Sequence, residues 1–412
     1  MDLNPVDMNS NRGKCARKKS NRKKRQISPD SYDDEIKVDC RKLKKATQGI
    51  QAKQNLRSSK GLTGLVNLGN TCYMNVVIQV LCHIKEFCDS ICSMSFDYPE
   101  LPPRRELSYS GRVIKYGLRG GSVHKTNEQD IDADITICHE LHSAFNIIWS
   151  GYCPLYSPIG MRQAVLNQIS DFDGNEQHDA HEFLVILLNY VHEEMVNIHK
   201  ICPSAVEHCF LGRLTCQVII DSKFCPLDSS TVRAEDFHEL SLGFNKEDIE
   251  KGRSKLMSNS YSYNIYDMLD HFSRWEFFRC KKCTTMCCRK RLFVHKFPRI
   301  LRIHINRFCW IKPSQSLAKT ESGSCKINWH VEFPEILTLS EILLNNKRRV
   351  QFRLLAVIVH DGLHFDRGHY KSYFYLDTEK CWIMSNDKEI AKVDISEVLS
   401  GQAYILFYRL LN

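Results

Sequence analysis

Residues 61–84 read GLTGLVNLGNTCYMNVVIQVLCHI, and at Cys72 the sequence changes from turn-forming to mainly apolar residues. Glycines and asparagines before it favour a loop. The apolar residues after it recur at helical spacing, at Met74, Val77, Ile78 and Leu81. The pattern therefore predicts a loop that places a thiol at the start of a helix, where free N–H groups favour the thiolate. A buried structural cysteine, one of nineteen in the chain, is the alternative.

The composition is that of a globular protein. The chain has 412 residues, of which 43% are hydrophobic and 25% charged, enough for one large or two medium cores. No apolar stretch approaches the roughly 18 residues of a membrane helix, and the N-terminus lacks a hydrophobic signal segment. We therefore expect no membrane association and a location in the nucleus or the cytoplasm. There, cysteines serve as thiols, metal ligands or a nucleophile, and a disulfide framework is not expected.

The net charge of +9 is concentrated in residues 1–60, which hold 17 Lys and Arg against 7 Asp and Glu. Within this tail, ARKKSNRKKRQ at residues 16–26 has almost no apolar side chain, so we expect the tail to be disordered. A nuclear-import or nucleic-acid-contact segment is one interpretation, and a solvated tail that only aids solubility is the other. The remainder of the chain is close to neutral.

Helical patterns precede strand patterns along the chain. Helices are predicted at Cys72–Cys92, Cys138–Ser150 and Asp179–Met195. Short β-rich runs follow from residue 213 onwards, among them RLTCQVIID, ILRIHINRF, FRLLAVIVH, SYFYL and AYILFYR. Residues 97–135 and 245–262 are predicted to be loops. This segregation of helices from strands predicts an α+β fold.

A thiol nucleophile needs a base that accepts its proton and a donor that stabilises the oxyanion. Three histidines in VIVHDGLHFDRGHYKSY are candidates for the base, His360, His364 and His369. His369 follows a glycine at the start of a strand-like run, which offers a rigid support and an open approach. Asn386 and Asp387, in SNDKE, are candidates to hold its other ring nitrogen. For any one histidine, a hydrogen-bonded surface residue is the alternative.

Together these segments resemble the ubiquitin-specific proteases. NLGNTCYMN, NEQHDAHEF and a distal GHYKSY followed by Trp382 and an Asn-Asp pair are similar to the Cys box, the glutamine-aspartate box and the His box of that family, in the same order. The likeness runs from about Gly61 to Tyr408. It implies a papain-like cysteine peptidase domain at residues 61–412, with a thumb at about 61–200, fingers at about 205–295 and a palm at about 296–412. The tail does not resemble the amino-terminal zinc-finger ubiquitin-binding domain of some members.

The resemblance also implies the catalytic roles. Cys72 is the nucleophile, His369 the base and then the acid, Asn386 the residue that orients the imidazole, and Asn67 the side-chain donor to the oxyanion. Members of the family more often have Asp where Asn386 stands. Because Asn accepts the ring N–H without adding negative charge, the imidazolium is expected to be less stabilised. Papain-like enzymes tolerate Asn in this role. Asp387 is next to it and can contribute charge.

Substrate binding is implied for Gln177, Asp179, Tyr370 and Asp387. The acid at Asp179 is expected to contact the basic C-terminal tail of ubiquitin, and a narrow channel would select its two final glycines. His178 stands where the family commonly has a second Gln. The HDAHE sequence does not match HExxH, so a catalytic metal is not expected there, and catalysis requires no cofactor.

A structural zinc site is implied in the β-rich middle of the chain. Two CxxC pairs would form a strong zinc signal, but only Cys280 and Cys283 form an intact pair, and Cys216 is followed three residues later by Ile219. Cys216, Cys280 and Cys283 are therefore the candidate ligands. Cys225, Cys287 or Cys288 are alternatives for the missing thiolate, and loss of the metal is a further alternative.

The sequence thus predicts a thiol-dependent deubiquitinase that hydrolyses the bond after the last glycine of ubiquitin. Its partners would be ubiquitin, ubiquitinated proteins and adaptor subunits. A ubiquitin-binding scaffold with weakened turnover is the alternative, motivated by the departures at Asn386 and Ile219. A nucleic-acid-binding protein directed by the basic tail is a third hypothesis, which the near-neutral body disfavours.

Overall fold

The computed structural model describes residues 60–96, 136–172, 176–220, 231–251, 262–280, 285, 287–311, 323–339, 349–362 and 367–411. They all belong to one compact unit, residues 57–412. The predicted tail, apart from Lys60, and the predicted loop at 97–135 lie outside the described residues. The candidate ligand Cys283 also lies outside them.

The first part of the unit is mainly helical. Its helices are α1 (Cys72–His83), α2 (Lys85–Cys92), α3 (Ile137–Ser150), α4 (Ile159–Gln168), α5 (Ala180–Glu193), which continues as a π-helical turn (Glu194–Ile198), and α6 (Ala205–Phe210). Two short strands, β1 (Gly64–Leu65) and β2 (Leu155–Tyr156), pair in parallel among them. A 3-10 turn covers Ser170–Phe172.

The second part is mainly β. Its first strands and helices are β3 (Gly212–Ile220), β4 (Thr231–Phe237), β5 (Leu240–Gly243), α7 (Lys246–Lys251), β6 (Ser262–Asn264), α8 (Ile265–Ser273), β7 (Glu276–Phe278), β8 (Cys288–Lys296) and β9 (Ile300–Asn306). They are followed by β10 (Phe308–Ile311), β11 (Gly323–Lys326), β12 (His330–Glu332), β13 (Ile336–Leu339), β14 (Val350–Asp361), β15 (His369–Leu376), β16 (Cys381–Asn386), β17 (Glu389–Val393), α9 (Ile395–Ser400) and β18 (Ala403–Leu410). Helices followed by strands confirm the predicted α+β class.

The strands form two main sheets. An eight-stranded sheet has the order β17-β16-β15-β14-β18-β9-β5, with β13 also paired to β14. A four-stranded antiparallel sheet has the order β4-β3-β8-β7 and lies within the predicted fingers. The large sheet carries His369 and Asn386 at facing ends of two neighbouring strands, because β15 begins at His369 and β16 ends at Asn386.

Both faces of the large sheet are covered, which explains its nearly continuous apolar strands. Along β15 and β16, Phe374 and Ile383 pack in the hydrophobic cluster that includes the helices. Their sequence neighbours Tyr373 and Trp382 point to the opposite face and pack in a second cluster with α8 and α9. Because successive side chains along a strand point to opposite faces, one face of the sheet packs against the helical part.

Helix α1 is the centre of the first cluster, and all of its residues except His83 are buried. The sequence predicted one helix from Cys72 to Cys92, but the chain leaves helical geometry at Ile84 and begins α2 at Lys85. This change of direction lets the polar face of α2, including Lys85 and Asp89, reach solvent, whereas α1 is enclosed. The predicted boundaries of α3 and α5 are met within one or two residues.

The prediction of a loop at 245–262 is wrong for part of this range, because Lys246–Lys251 form α7. The carboxamide oxygen of Asn245 accepts a hydrogen bond from the backbone N–H of Glu247 and so supports the start of this turn. Among the residues that the structure describes, no helix is long and apolar enough to cross a membrane.

Candidate active site

The loop before α1 holds Cys72 at the helix N-terminus. The carboxamide oxygen of Asn67 accepts hydrogen bonds from the backbone N–H groups of Gly69 and Thr71, at 3.0 and 3.1 Å. The Thr71 hydroxyl accepts from the backbone N–H of Leu68 at 2.8 Å. These bonds close a tight turn, and Cys72 follows it as the first helical residue with only 3% of its surface exposed.

His369 joins the thiol to Asn386. Its Nε2 donates to the carboxamide oxygen of Asn386 at 2.5 Å, which leaves Nδ1 as the ring nitrogen for Cys72. The hydrogen bond with the Cys72 side chain is the largest influence on the imidazole and raises the pKa of His369 to about 9. Burial opposes this rise, and Asn386 and the nearby charge of Asp387 add to it. The imidazole is therefore placed to exchange a proton with the Cys72 side chain.

Asp387 lies inside this cluster. One carboxylate oxygen accepts from the Asn67 carboxamide at 2.9 Å and the other from the Asn75 carboxamide at 2.8 Å. The first of these oxygens is also 3.9 Å from Nε2 of His369. Asp387 was predicted to bind substrate, and the structure engages its two oxygens with the side chains of Asn67 and Asn75 beside Cys72.

The turn between β16 and β17 brings the sheet to the Cys72 loop. Asp387 has a positive φ of 50°, a conformation that Asp and Asn tolerate better than most residues. Its backbone carbonyl accepts from the N–H of Leu65 at 2.8 Å. A side chain on Gly64 would overlap the backbone of Lys388, so glycine permits this close approach. The turn thus connects the loop before α1 directly to Asn386 and Asp387.

The glutamine-aspartate box lies beside the loop that precedes His369. The carboxamide oxygen of Gln177 accepts from the backbone N–H of Gly368 at 3.0 Å, and this contact is exposed. Asp179 caps α5, because one of its oxygens accepts from the backbone N–H groups of His181 and Glu182. The glutamine-aspartate box and the His box are therefore adjacent, as their predicted roles require.

The other oxygen of Asp179 faces two tyrosines. It accepts from the Tyr404 hydroxyl at 2.6 Å and from the Tyr370 hydroxyl at 3.5 Å. Tyr370 is buried and stacks on His360, with ring centres 4.6 Å apart. Burial lowers the pKa of His360 to about 3, so this histidine is neutral and is not placed to serve as the base. Its ring instead lies against Gly368, where any side chain would overlap it.

The geometry so described is that of a papain-like thiol site, and a family model matches the chain over the same segments. The model described as ubiquitin carboxyl-terminal hydrolase matches residues 63–408. The chain belongs to the ubiquitin carboxyl-terminal hydrolase family. This confirms the family predicted from the Cys, glutamine-aspartate and His boxes.

Curated relatives from this family share a modest identity with the chain. Ubiquitin carboxyl-terminal hydrolase 44 of Danio rerio is 30% identical over 410 residues, which cover 85% of this chain and 56% of the relative. Ubiquitin carboxyl-terminal hydrolase 3 of Homo sapiens is 28% identical over 379 residues, covering 84% of this chain and 67% of the relative. The chain thus spans little more than half of the length of the first of these hydrolases.

Solved structures of this family show the same fold. The SAGA Ubp8/Sgf11/Sus1/Sgf73 DUB module bound to ubiquitin aldehyde matches with a TM-score of 0.62 and 21% identity, covering 90% of this chain and 74% of the matched chain. The same module, with a substituted Ubp8 and bound to monoubiquitin, matches with a TM-score of 0.59 and 22% identity, at the same coverage. The predicted papain-like α+β fold of the hydrolase family is confirmed.

The candidate metal ligands are only partly brought together. Cys280, Cys287 and Cys288 are buried, and their sulfurs lie within 4.8 Å of one another at the end of the four-stranded sheet. Cys288 pairs in register with Ile220, whereas Cys216 pairs with Leu292, four residues further along β8. Four residues of strand span about 13 Å, so the assignment of Cys216 to the same site is wrong.

Two further residues of the site were not predicted from the sequence. Asn75 lies three residues after Cys72 on the same side of α1 and donates to Asp387. Tyr404, on β18, donates to Asp179. A buried amide within a largely apolar helix is a signal that would have drawn attention to Asn75, because buried polar groups need partners.

Proposed function

We propose that the chain is a cysteine-type ubiquitinyl hydrolase that cleaves the isopeptide or peptide bond after the C-terminal glycine of ubiquitin. One observation carries the proposal: the Cys72 side chain raises the pKa of His369, and His369 also donates to Asn386 at 2.5 Å. A nucleophile, a base and an orienting group are thereby contiguous, although the first two are far apart in the sequence.

The first chemical step forms a thioester. The Cys72 thiolate attacks the carbonyl carbon of the last glycine of ubiquitin, and the carbonyl oxygen becomes an oxyanion. Asn67 has one amide hydrogen committed to Asp387 and a second that is suited to this oxyanion, together with N–H groups of the first turn of α1. The imidazolium of His369 then donates its proton to the departing lysine amine, and the carbon–nitrogen bond breaks.

The second step hydrolyses the thioester. His369 is neutral after it has donated its proton, so it can accept a proton from an incoming water. The resulting hydroxide adds to the thioester carbonyl, and the carbon–sulfur bond breaks to release the Cys72 thiolate and the ubiquitin carboxylic acid, which loses its proton to solvent. Asn386 holds the ring in one orientation through both steps, which require the same nitrogen to face the reacting atoms.

The scaffold alternative rested on Ile219 and on Asn386, which carries no charge. Asp387 supplies a carboxylate oxygen 3.9 Å from Nε2 of His369, so the imidazolium has a negative partner despite this substitution. The same carboxylate fixes the amide of Asn67. These two contacts favour a catalytically competent enzyme over the scaffold.

For substrate binding, Gln177 is the exposed member of the predicted set and lies opposite the backbone of Gly368. We propose that it contacts the ubiquitin tail on the approach to His369. Asp179 has its oxygens bound within the protein, so its proposed contribution is the attraction of the basic tail by its charge. Tyr370 is buried against His360, and its proposed role is to shape the wall of the channel.

We also propose a structural zinc ion in the four-stranded sheet, held by Cys280, Cys287 and Cys288. Tetrahedral zinc with bonds of about 2.3 Å places its sulfur ligands about 3.8 Å apart, and the sulfurs of Cys287 and Cys288 are 4.0 Å apart. Three buried thiols therefore suit zinc. When bound, the ion would hold the ends of β7 and β8 together and take no part in the chemistry.

The proposed partners are ubiquitin, its conjugates and adaptor subunits. The matched Ubp8 chains are named as parts of modules with Sgf11, Sus1 and Sgf73, and some of these modules are bound to ubiquitin or ubiquitin aldehyde. For location we propose the nucleus, because the basic cluster at residues 16–26 is typical of an import segment. A fluorescent fusion with and without residues 1–60 tests that proposal.

Hydrolysis of a fluorogenic ubiquitin C-terminal amide by the full chain tests the proposed activity. Wild type should release the fluorophore, and Cys72→Ser should abolish release while it leaves ubiquitin binding measurable by calorimetry. Binding without any turnover by folded wild type would favour the scaffold. Salt-dependent DNA binding that survives removal of residues 1–60 would favour the nucleic-acid hypothesis.

A further inference from the structure

Lys326 is a buried cation at the end of β11, and its side chain lies against the strand that supports His369. Only 1% of its surface is exposed. Its ammonium donates to the backbone carbonyls of His360 and Gly362, both at 2.8 Å. Burial, followed by the charge of Arg307, lowers the pKa of Lys326 to about 8, whereas Asp361 opposes this decrease. Burying an ammonium is costly, so its retention here requires a reason.

The carbonyls that Lys326 holds belong to the backbone directly beside the candidate base. His360 pairs in register with Tyr370, and Asp361 pairs with His369 itself. A side chain on Gly368 would overlap the His360 ring and the Asp361 carbonyl, so this part of the chain approaches very closely. A displacement of residues 360–362 would therefore be transmitted to His369.

We infer that Lys326 is a positioning residue for His369. Its two hydrogen bonds fix the end of β14, against which the first residues of β15 are aligned. Because β11 pairs with β10, with Lys326 opposite Phe308, the same side chain connects the β10–β11 hairpin to the backbone beside His369. The inference rests on the proposed function, since it assigns Lys326 to the alignment of the proposed thiol–imidazole pair.

A thiol-alkylation profile tests this role without ubiquitin. The full chain is treated with iodoacetamide across about pH 5 to 10, and modification of the Cys72 peptide is measured by mass spectrometry. An aligned imidazolium keeps the thiol ionised at low pH, whereas an ordinary thiol ionises at about pH 8.5. K326M should raise the pH of half-maximal alkylation by about one unit and lower kcat by about tenfold or more. K326R keeps the donors and should stay near the wild-type profile.

Arg302→Met provides the matched control, because Arg302 is also a buried cation on the large sheet and is 2% exposed. Unlike Lys326, it donates to Glu239 and lies on a strand that does not pair with residues 360–370. It should melt at a lower temperature without shifting the alkylation profile. The inference is overturned if K326M retains the wild-type profile, if K326R shifts as far as K326M, or if R302M shifts equally. Should K326M fail to fold, K326Q is judged by the same criteria.

Because alkylation does not depend on ubiquitin, it separates this inference from the proposed function. A shifted profile in K326M, in a chain that never hydrolyses the ubiquitin amide, would support the positioning role while it contradicts the activity. An unshifted profile in an active enzyme would contradict only the positioning role.

Discussion

Asp387→Asn tests whether a neighbouring carboxylate compensates for the neutral Asn386. The substitution preserves size, and Asn tolerates the left-handed backbone found at this position. It removes the negative charge and converts one acceptor into a donor that faces the carboxamide of Asn67 or Asn75. Two contributions to the transition state are therefore lost together, the charge near His369 and the fixed orientation of Asn67.

The structure gives the size of each contribution. At 3.9 Å, two unit charges attract by about 4 kcal/mol at an effective dielectric constant of about 20. The His369 side chain is 40% exposed, so solvent screening reduces this to about 1 kcal/mol. A lost charge-assisted hydrogen bond that orients the oxyanion donor adds about 1.5 to 3 kcal/mol. A total of about 3 kcal/mol corresponds to a decrease of about 100-fold in kcat/KM.

The assay is steady-state cleavage of the fluorogenic ubiquitin amide by the 412-residue wild type and variant. Asp377→Asn is the matched control, because Asp377 directly follows β15 at the end away from His369 and forms its ion pair with Arg409 at the surface. It should retain activity within about threefold, as expected of a surface pair. If folded Asp387→Asn also retains activity within about threefold, the compensating role of Asp387 is refuted.

Four other variants test separate parts of the structure. Cys72→Ala removes the hydrogen bond that raises the pKa of His369 to about 9, so the titration midpoint of the ring measured by NMR should fall by more than about one unit; a midpoint that stays near 9 would contradict the contact. In wild type, the contribution of this raised pKa to the free energy of unfolding should be complete below about pH 6.5 and lost as pH rises through about 9. The value of kcat/KM should decline over the same alkaline range, because deprotonated His369 cannot donate a proton to the departing amine. Asn386→Asp should maintain or raise kcat, since it keeps the acceptor and adds charge, and loss of turnover in a folded variant would disprove the orienting role. Cys287→Ser should lower both the zinc content and the melting temperature, whereas Cys216→Ser should change neither; equal zinc in Cys287→Ser and wild type would reject the three-cysteine site.

Local patterns in the sequence were sufficient for the elements that carry the site. The change of pattern at Cys72 marks the start of α1, and the helix predicted from Asp179 is α5, which begins one residue later. Strands β9, β14, β15 and β18 of the large sheet were recognised as short β-rich runs between turn signals. These features depend on residues near one another in sequence, so their physical cause is visible without the fold.

Features that depend on distant segments were not predictable in the same way. The contact between Asn75 and Asp387 joins residues 312 positions apart, and nothing in the local pattern of α1 gives that partner. Lys326 reads as an ordinary surface lysine until the sheet encloses it. Cys216 was grouped with Cys280 by spacing alone, whereas strand register separates them. Register is set by long-range pairing, which a single sequence leaves open.

Covalent labelling with ubiquitin vinyl sulfone tests the central claim most directly. The 412-residue wild type should form one adduct, located on Cys72 by mass spectrometry, and Cys72→Ala should form none, although the other cysteines among the nineteen of the chain remain. Failure of folded wild type to react, or an adduct on another cysteine that persists in Cys72→Ala, would contradict the assignment of Cys72 as the nucleophile activated by His369.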